Sequence, residues 1–194
     1  MKRLRIAVDC DDVLVPTAEL LVRHYNKTYG TNLVLANFYS TDPELWGVDD
    51  YAVAIERIHT YLLTEEYQKT KPFQEAIDAI SVLGKHHDLH VVTARSDILA
   101  HATTDMLTLY FPELFKTIEF TNFFGKAQRG KAQVCQALGA DLLIDDNLHH
   151  TESVARCGMD ALLFGHYPWN QADITLPNIH RVKNWDEVLE RLVR

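Results

Sequence analysis

The chain has 194 residues, 47% of them hydrophobic and 24% charged, which is the make-up of a globular domain long enough to bury a sizeable core. Its formal net charge of −8 argues against a nucleic-acid polymer or an anionic membrane as the main partner, so an anionic substrate would need positive charge supplied by a few bases or a metal. Asp9 interrupts the apolar start too early for a signal-peptide core, no apolar run approaches a membrane span, and Cys10, Cys135 and Cys157 form no CxxC pair; these features predict a cytoplasmic protein.

Taken in chain order, LRIAV is a short apolar run ending at Asp9 and predicts a fully buried strand of a parallel sheet. No comparable run follows before Phe73. Two helical patterns stand there instead, at about 18–29 and 50–63, joined by the aromatic linker NFYSTDPELWG. This predicts a small helical insert over 16–71 that leaves after the first strand and returns near Lys71-Pro72, with 1–15 and 72–194 as the core domain. In FQEAIDAISVLG, Phe73, Ala76, Ile77, Ile80 and Leu83 fall at helical spacing, and Gly84 is the expected C-cap. LHVVT is a second buried strand, followed after Ser96 by a helix expected to bury Ile98, Leu99, Ala102, Met106 and Tyr110. A helix over about 131–138 leads into the strand DLLIDD, and a helix over 151–157, stopped by Gly158, leads into DALLFG. In NWDEVLERL, Asn184 is the expected N-cap, Glu187 stands in the capping-box position, and Trp185, Val188, Leu189 and Leu192 face inward. Strands alternating with helices predict an α/β fold: a Rossmann-like parallel sheet with helices on both faces.

Ligands of open parallel sheets bind at the carboxyl ends of the strands. Those ends carry Asp9, Asp11 and Asp12 after the first strand, Thr93 and Arg95 after LHVVT, and Asp145 and Asp146 after LLI, while Lys131 opens the helix feeding the last of these. Adjacent carboxylates repel and are costly to desolvate, so a fold gathers them where a cation or a reaction compensates. Acids, a hydroxyl and one or two bases on one rim form an inventory for a divalent metal such as Mg²⁺ and for phosphoryl transfer. Asp9 and Asp11 can divide the labour, one attacking phosphorus and the other protonating the leaving oxygen. Thr93 can donate to a phosphoryl oxygen, Lys131 can neutralise developing charge, and Asp145 and Asp146 would hold the metal from the far side. Lys126 competes with Lys131 for its place; Lys131 is preferred because it opens the helix leading into the acidic strand.

In order, VDCDDVL, VVT, GKAQVCQALGAD and LLIDDN resemble the four motifs of the haloacid dehalogenase superfamily, and the match spans nearly the whole chain. The resemblance implies a Mg²⁺-dependent phosphatase with Asp9 as nucleophile and Asp11 as acid/base. It places Mg²⁺ on the side chains of Asp9 and Asp146 and the backbone carbonyl of Asp11, with Asp145 behind them. An insert after strand one, together with VVTARS, LLIDDN and the closing YPWN and VKNWDEVL, looks most like the 5'(3')-deoxyribonucleotidase-like branch, with a small-molecule phosphomonoester as substrate. Asp12 departs from the small residue usual at its position.

Other readings stand beside this one. A sugar phosphate or another small phosphoester is an alternative substrate. A phosphoacceptor receiver domain uses similar groups, but there the phosphorylated Asp ends a later strand than the acidic pair and no insert follows strand one. Arg95 is either a phosphate ligand or a surface base. Phe38, Tyr39, Trp46 and Tyr51 are either the insert's own core or a base-stacking platform, and Trp46, bracketed by Pro43 and Gly47, is the candidate substrate contact. His86-His87 and His149-His150 lack metal-ligand spacing with any cysteine and are expected in solvated turns, and Cys10 is expected as a small buried hydrophobe.

Overall fold

Ile6, Ala7 and Val8 are wholly buried, because the strand they form, β1 (Arg5–Val8), lies in the middle of a sheet covered on both faces. The structure, a computed structural model, describes residues 2–122 and 129–193. After β1 come α1 (Thr17–Tyr29), α2 (Tyr51–Leu62), the short α3 (Glu65–Gln68), α4 (Gln74–His86), β2 (Asp88–Thr93), α5 (Ala100–Tyr110) and β3 (Phe115–Phe120). The remainder is α6 (Lys131–Leu138), β4 (Leu142–Asp145), α7 (Leu148–Ala155), β5 (Asp160–Phe164), β6 (Ile179–Val182) and α8 (Trp185–Leu192). The strands form one parallel sheet in the order β3-β2-β1-β4-β5-β6, so the expected Rossmann-like α/β architecture is present.

Alternate residues of each strand face opposite apolar layers. Ile6, Val8, Val91 and Ile144 pack with Ile80, Leu83, Leu107, Trp185 and Val188 of α4, α5 and α8. Ala7, Val92, Leu143 and Leu163 pack with Val134, Cys135 and Val154 of α6 and α7. A third apolar cluster, which includes Leu21, Tyr25, Trp46, Ala54 and Tyr61, belongs almost wholly to the segment between β1 and α4. The two ends of that segment lie side by side, since the Phe73 N–H donates to the Leu14 carbonyl at 2.9 Å. Among the described residues no helix is long and apolar enough to cross a membrane.

Several local expectations need correction. Gly84 is no C-cap: α4 runs on to His86, and a Cβ at Gly84 would meet Leu114 Cδ2 at 3.1 Å, so the glycine serves close packing. Ile98 is 57% exposed, because it sits in a 3₁₀ turn ahead of α5 and does not follow that helix's period; Thr103 and Leu107 are the fully buried residues of α5. His87 is buried, its Nδ1 accepting from the Leu4 N–H at 3.2 Å and its Nε2 facing the Leu192 carbonyl at 3.0 Å, so it pins the start of the sheet to the last helix. Asn184 caps α8 as expected, accepting from the Glu187 N–H. Cys10 is buried, which pushes its thiol up to about 12.

Candidate active site

Register brings the acids together. Val8 of β1 lies opposite Ile144 of β4, so the next residues, Asp9 and Asp145, emerge side by side, and the Asp9 N–H donates to the Ile144 carbonyl at 2.9 Å. The strand order reverses at β1, where a crevice opens beyond the strand ends. Lys131, the first residue of α6, reaches under this point with Nζ 2.8 Å from Asp9 Oδ1 and 2.6 Å from Asp145 Oδ2. Burial alone would depress the Lys131 ammonium, but Asp145 and Asp9 more than offset it and hold the charge above its usual range.

Asp9, Asp145 and Asp146 each bring a carboxylate oxygen within 4.8 Å of the others. Burial raises the Asp9 carboxyl to about 6 against the pull of Lys131, and burial followed by the charges of Asp145 and Asp9 raises that of Asp146 well above the carboxylate range. One ammonium among three buried carboxylates leaves negative charge that a hard divalent cation would satisfy, so the donor set fits Mg²⁺. Both oxygens of Asp145 are already taken, Oδ2 by Lys131 and Oδ1 by the Asn147 N–H at 2.9 Å. That suits a residue behind the ligands better than a ligand.

The Asp11 carboxylate lies outside this group. Arg95 grips it with Nε 3.0 Å from Oδ2 and Nη2 2.7 Å from Oδ1, and the Thr17 hydroxyl donates to the same Oδ1. Burial pushes Asp11 up, but Arg95 and Thr17 outweigh it and the carboxyl is held below its ordinary value. Arg95 is buried rather than a surface base, and its other hydrogen bonds go to Thr103 Oγ1 at 2.9 Å and the Tyr67 hydroxyl at 2.6 Å. Tyr67 of α3 in turn lies 2.7 Å from Thr17 at the start of α1, so the insert reaches into the site. Thr93 is fully buried, with Oγ1 accepting from the Arg95 N–H at 3.2 Å. Asp12 takes a left-handed backbone, φ 56°, and both its carboxylate oxygens accept from the Ala18 N–H, which anchors the first turn of α1.

Above these groups a cavity of about 310 Å³ opens between the strand ends and the insert. Asp9, Asp11, Arg95, Asn147 and His149 line its polar end, and Leu21, Tyr51, Ile55, Ile58 and Leu62 line the insert's wall. His149 and His150 lie in the first turn of α7, not in a separate turn, and border the cavity, with His149 exposed as expected. Trp46 stands in that wall but is only 1% exposed: its indole N–H donates to the Ser40 carbonyl at 2.8 Å and its ring meets Tyr25 edge-on at 5.1 Å. The packing makes it a core residue of the insert, with little surface left for a ligand, whereas Tyr39 is half exposed and also lines the cavity. Lys126 lies outside the described residues.

Sequence reasoning missed Thr17, Tyr67, Tyr167, Trp169 and Asn170. The first two carry no local signal, since their partners are set by the docking of the insert. The last three stand in YPWN, which drew notice only as part of a resemblance.

The model of the family described as 5' nucleotidase, deoxy (pyrimidine), cytosolic type C protein matches residues 2–194. No curated protein matches the chain. Among solved structures, the chain is similar to a haloacid dehalogenase-like hydrolase of Streptococcus pneumoniae, at 18% identity over 97% of this chain and 98% of that one, with a TM-score of 0.73. It is similar as well to a HAD-type hydrolase of Bacillus subtilis described as bound to magnesium, at 16% identity over the whole of both chains and a TM-score of 0.69. A phosphatase predicted in Clostridium acetobutylicum gives 15% identity, 100% and 99% coverage and a TM-score of 0.73. At such identities the likeness speaks for the fold.

Proposed function

The chain belongs to the 5' nucleotidase, deoxy (pyrimidine), cytosolic type C family and is a phosphatase of the haloacid dehalogenase superfamily, and we propose that it hydrolyses nucleoside 5'-monophosphates in the cytoplasm. The family match sets aside the receiver-domain reading. The observation that carries the proposal is the pairing of the Asp9–Lys131–Asp146 cluster with a cavity whose far wall is apolar and aromatic, large enough for more than a phosphate.

In this reading Asp9 and Asp146, with the Asp11 carbonyl, would hold Mg²⁺, and Asp145 fixes Lys131 behind them. When bound, Mg²⁺ supplies charge neutralisation for the phosphoryl oxygens. Lys131 and the Cys10 N–H, 2.7 Å away, both engage Asp9 Oδ1, which leaves Oδ2 to attack phosphorus. Asp11, ionised while Arg95 and Thr17 donate to it, takes up a proton once the substrate draws Arg95 away; the phosphorus–ester oxygen bond then breaks as the aspartyl phosphate forms, and the departing oxygen takes that proton. Asp11 then removes a proton from water, which hydrolyses the aspartyl phosphate and releases inorganic phosphate. Since Arg95 holds both Asp11 oxygens in the substrate-free chain, it must loosen that grip as substrate arrives, and the incoming phosphate is its natural new partner. Thr93 donates to a phosphoryl oxygen. Residues 16–71 act as a cap that excludes water and contacts the part of the substrate beyond the phosphate.

The purified protein should hydrolyse nucleoside monophosphates faster than sugar phosphates, only with Mg²⁺, and not at all as Asp9→Asn. Turnover by that variant, or in excess chelator, would sink the mechanism. Faster turnover of sugar phosphates would leave the mechanism and remove the nucleotide assignment.

A further inference from the structure

The stretch Tyr167 to Asn170, YPWN, forms the loop after β5 and enters none of the steps above. Its side chains nonetheless converge on the acidic cluster. The Trp169 indole N–H donates to Asp146 Oδ2 at 2.6 Å, and the Asn170 amide donates to the Asp146 carbonyl at 3.0 Å and to the Phe164 carbonyl at 3.0 Å. The Tyr167 hydroxyl donates to the Asp12 carbonyl at 2.6 Å.

The indole is itself held in place. The Tyr167 ring stacks on it at 4.7 Å with the planes 3° apart, and from the insert Phe38 and Tyr39 pack against it at 5.8 and 5.2 Å. Gly165, at φ 78°, makes the turn that brings Tyr167 back: a Cβ there would lie 2.4 Å from Tyr167 Cε2. At the far end, Arg181 of β6 donates to the Asn170 carbonyl at 2.6 Å. A ring clamped on its face and edges has little rotameric freedom, so its single donor is aimed before any ligand arrives.

A metal-binding carboxylate works best when the group behind it fixes its orientation, and loss of such a partner typically costs about 10–100-fold in metal affinity or activity. We infer that Trp169 is a positioning residue, holding the Asp146 carboxylate in the orientation that receives Mg²⁺ through its indole N–H. The inference rests on the assignment of Asp146 as a metal ligand made above.

The test is direct titration calorimetry of Mg²⁺ into metal-free protein, without substrate. Trp169→Phe keeps an aromatic ring for Tyr167, Phe38 and Tyr39 but removes the donor, so its Mg²⁺ dissociation constant should rise about 10-fold or more. Near-ultraviolet circular dichroism without metal checks that the variant is folded. Trp169→His restores a ring N–H and should bind Mg²⁺ more tightly than Trp169→Phe, which a purely packing role would not produce. Unchanged affinity in Trp169→Phe, or no difference between the two variants, overturns the inference. Asp146→Asn separates the two levels: if it binds Mg²⁺ like the parent, the metal-site reading fails, whereas weakened binding by Asp146→Asn beside normal binding by Trp169→Phe removes the role of Trp169 alone.

Discussion

Replacing Lys131 by Met should destabilise the metal-free protein by about 3–5 kcal/mol, the usual cost of removing one partner of a buried ion pair. Lys131 Nζ is buried and contacts Asp9 Oδ1 at 2.8 Å and Asp145 Oδ2 at 2.6 Å, so the substitution strands two carboxylates at once. For a chain of this size that corresponds to a fall in Tm of about 6–20 °C. The deficit should depend on pH. Asp9 already has its folded-state carboxyl raised from 3.8 to about 6, so its stabilising contribution is full below the unfolded value and is lost as pH rises through about 6. Without Lys131 the carboxyl rises further and that loss deepens. The variant's deficit, from urea unfolding in chelator, should therefore be larger at pH 8 than at pH 5. Adding Asp145→Asn to Lys131→Met removes one stranded charge and should recover part of the loss, a non-additive result expected of contacting groups. A deficit below about 1 kcal/mol at pH 8, or one that does not shrink at pH 5, would refute the reasoning that this lysine compensates the cluster.

Asp11→Asn should lose most on nucleoside monophosphates and least on aryl phosphates, whose leaving oxygen hardly needs a proton; equal losses in kcat/KM, which reports phosphoryl transfer and not the hydrolysis of the shared aspartyl phosphate, would argue against a general acid at this position. Trp46→Ala should lower stability by about 3–5 kcal/mol, the cost of truncating a buried aromatic, and depress turnover of nucleotide and aryl substrates alike. A loss confined to nucleotides, with the urea midpoint unchanged, would instead make Trp46 a substrate contact.

How much of this could be read from the residues depended on how local their determinants are. β1, β2, β4 and β5 are buried on both faces and read as unbroken apolar runs, so the convergence of Asp9, Thr93 and Asp145 at their ends was legible. β3 and β6 lie at the sheet's edges, and FKTIEF and IHRV mix polar with apolar residues, which erased the signal. Gly84 misled because a glycine after a helical pattern serves equally as a cap or as a gap for a neighbour, and only the position of Leu114 decides between them. The grip of Arg95 on Asp11 and the contact of Tyr67 with both Arg95 and Thr17 join residues far apart in sequence, so no spacing rule could find them. Burial of Trp46 was hidden for the same reason: its ring is covered by Tyr25, Phe38 and Tyr51, each brought in by the insert's own folding.

The hydrogen bond from Phe73 to the Leu14 carbonyl joins the two backbone strands through which the insert departs and returns. A segment whose ends meet at one point can be exchanged as a cassette: the sheet's strand order does not depend on what lies between, and doubling the length of such a loop costs only about 0.6 kcal/mol in closure entropy. A segment of different size grafted at this point would have to bring its own cluster of apolar residues and its own equivalents of Thr17 and Tyr67 to meet Arg95.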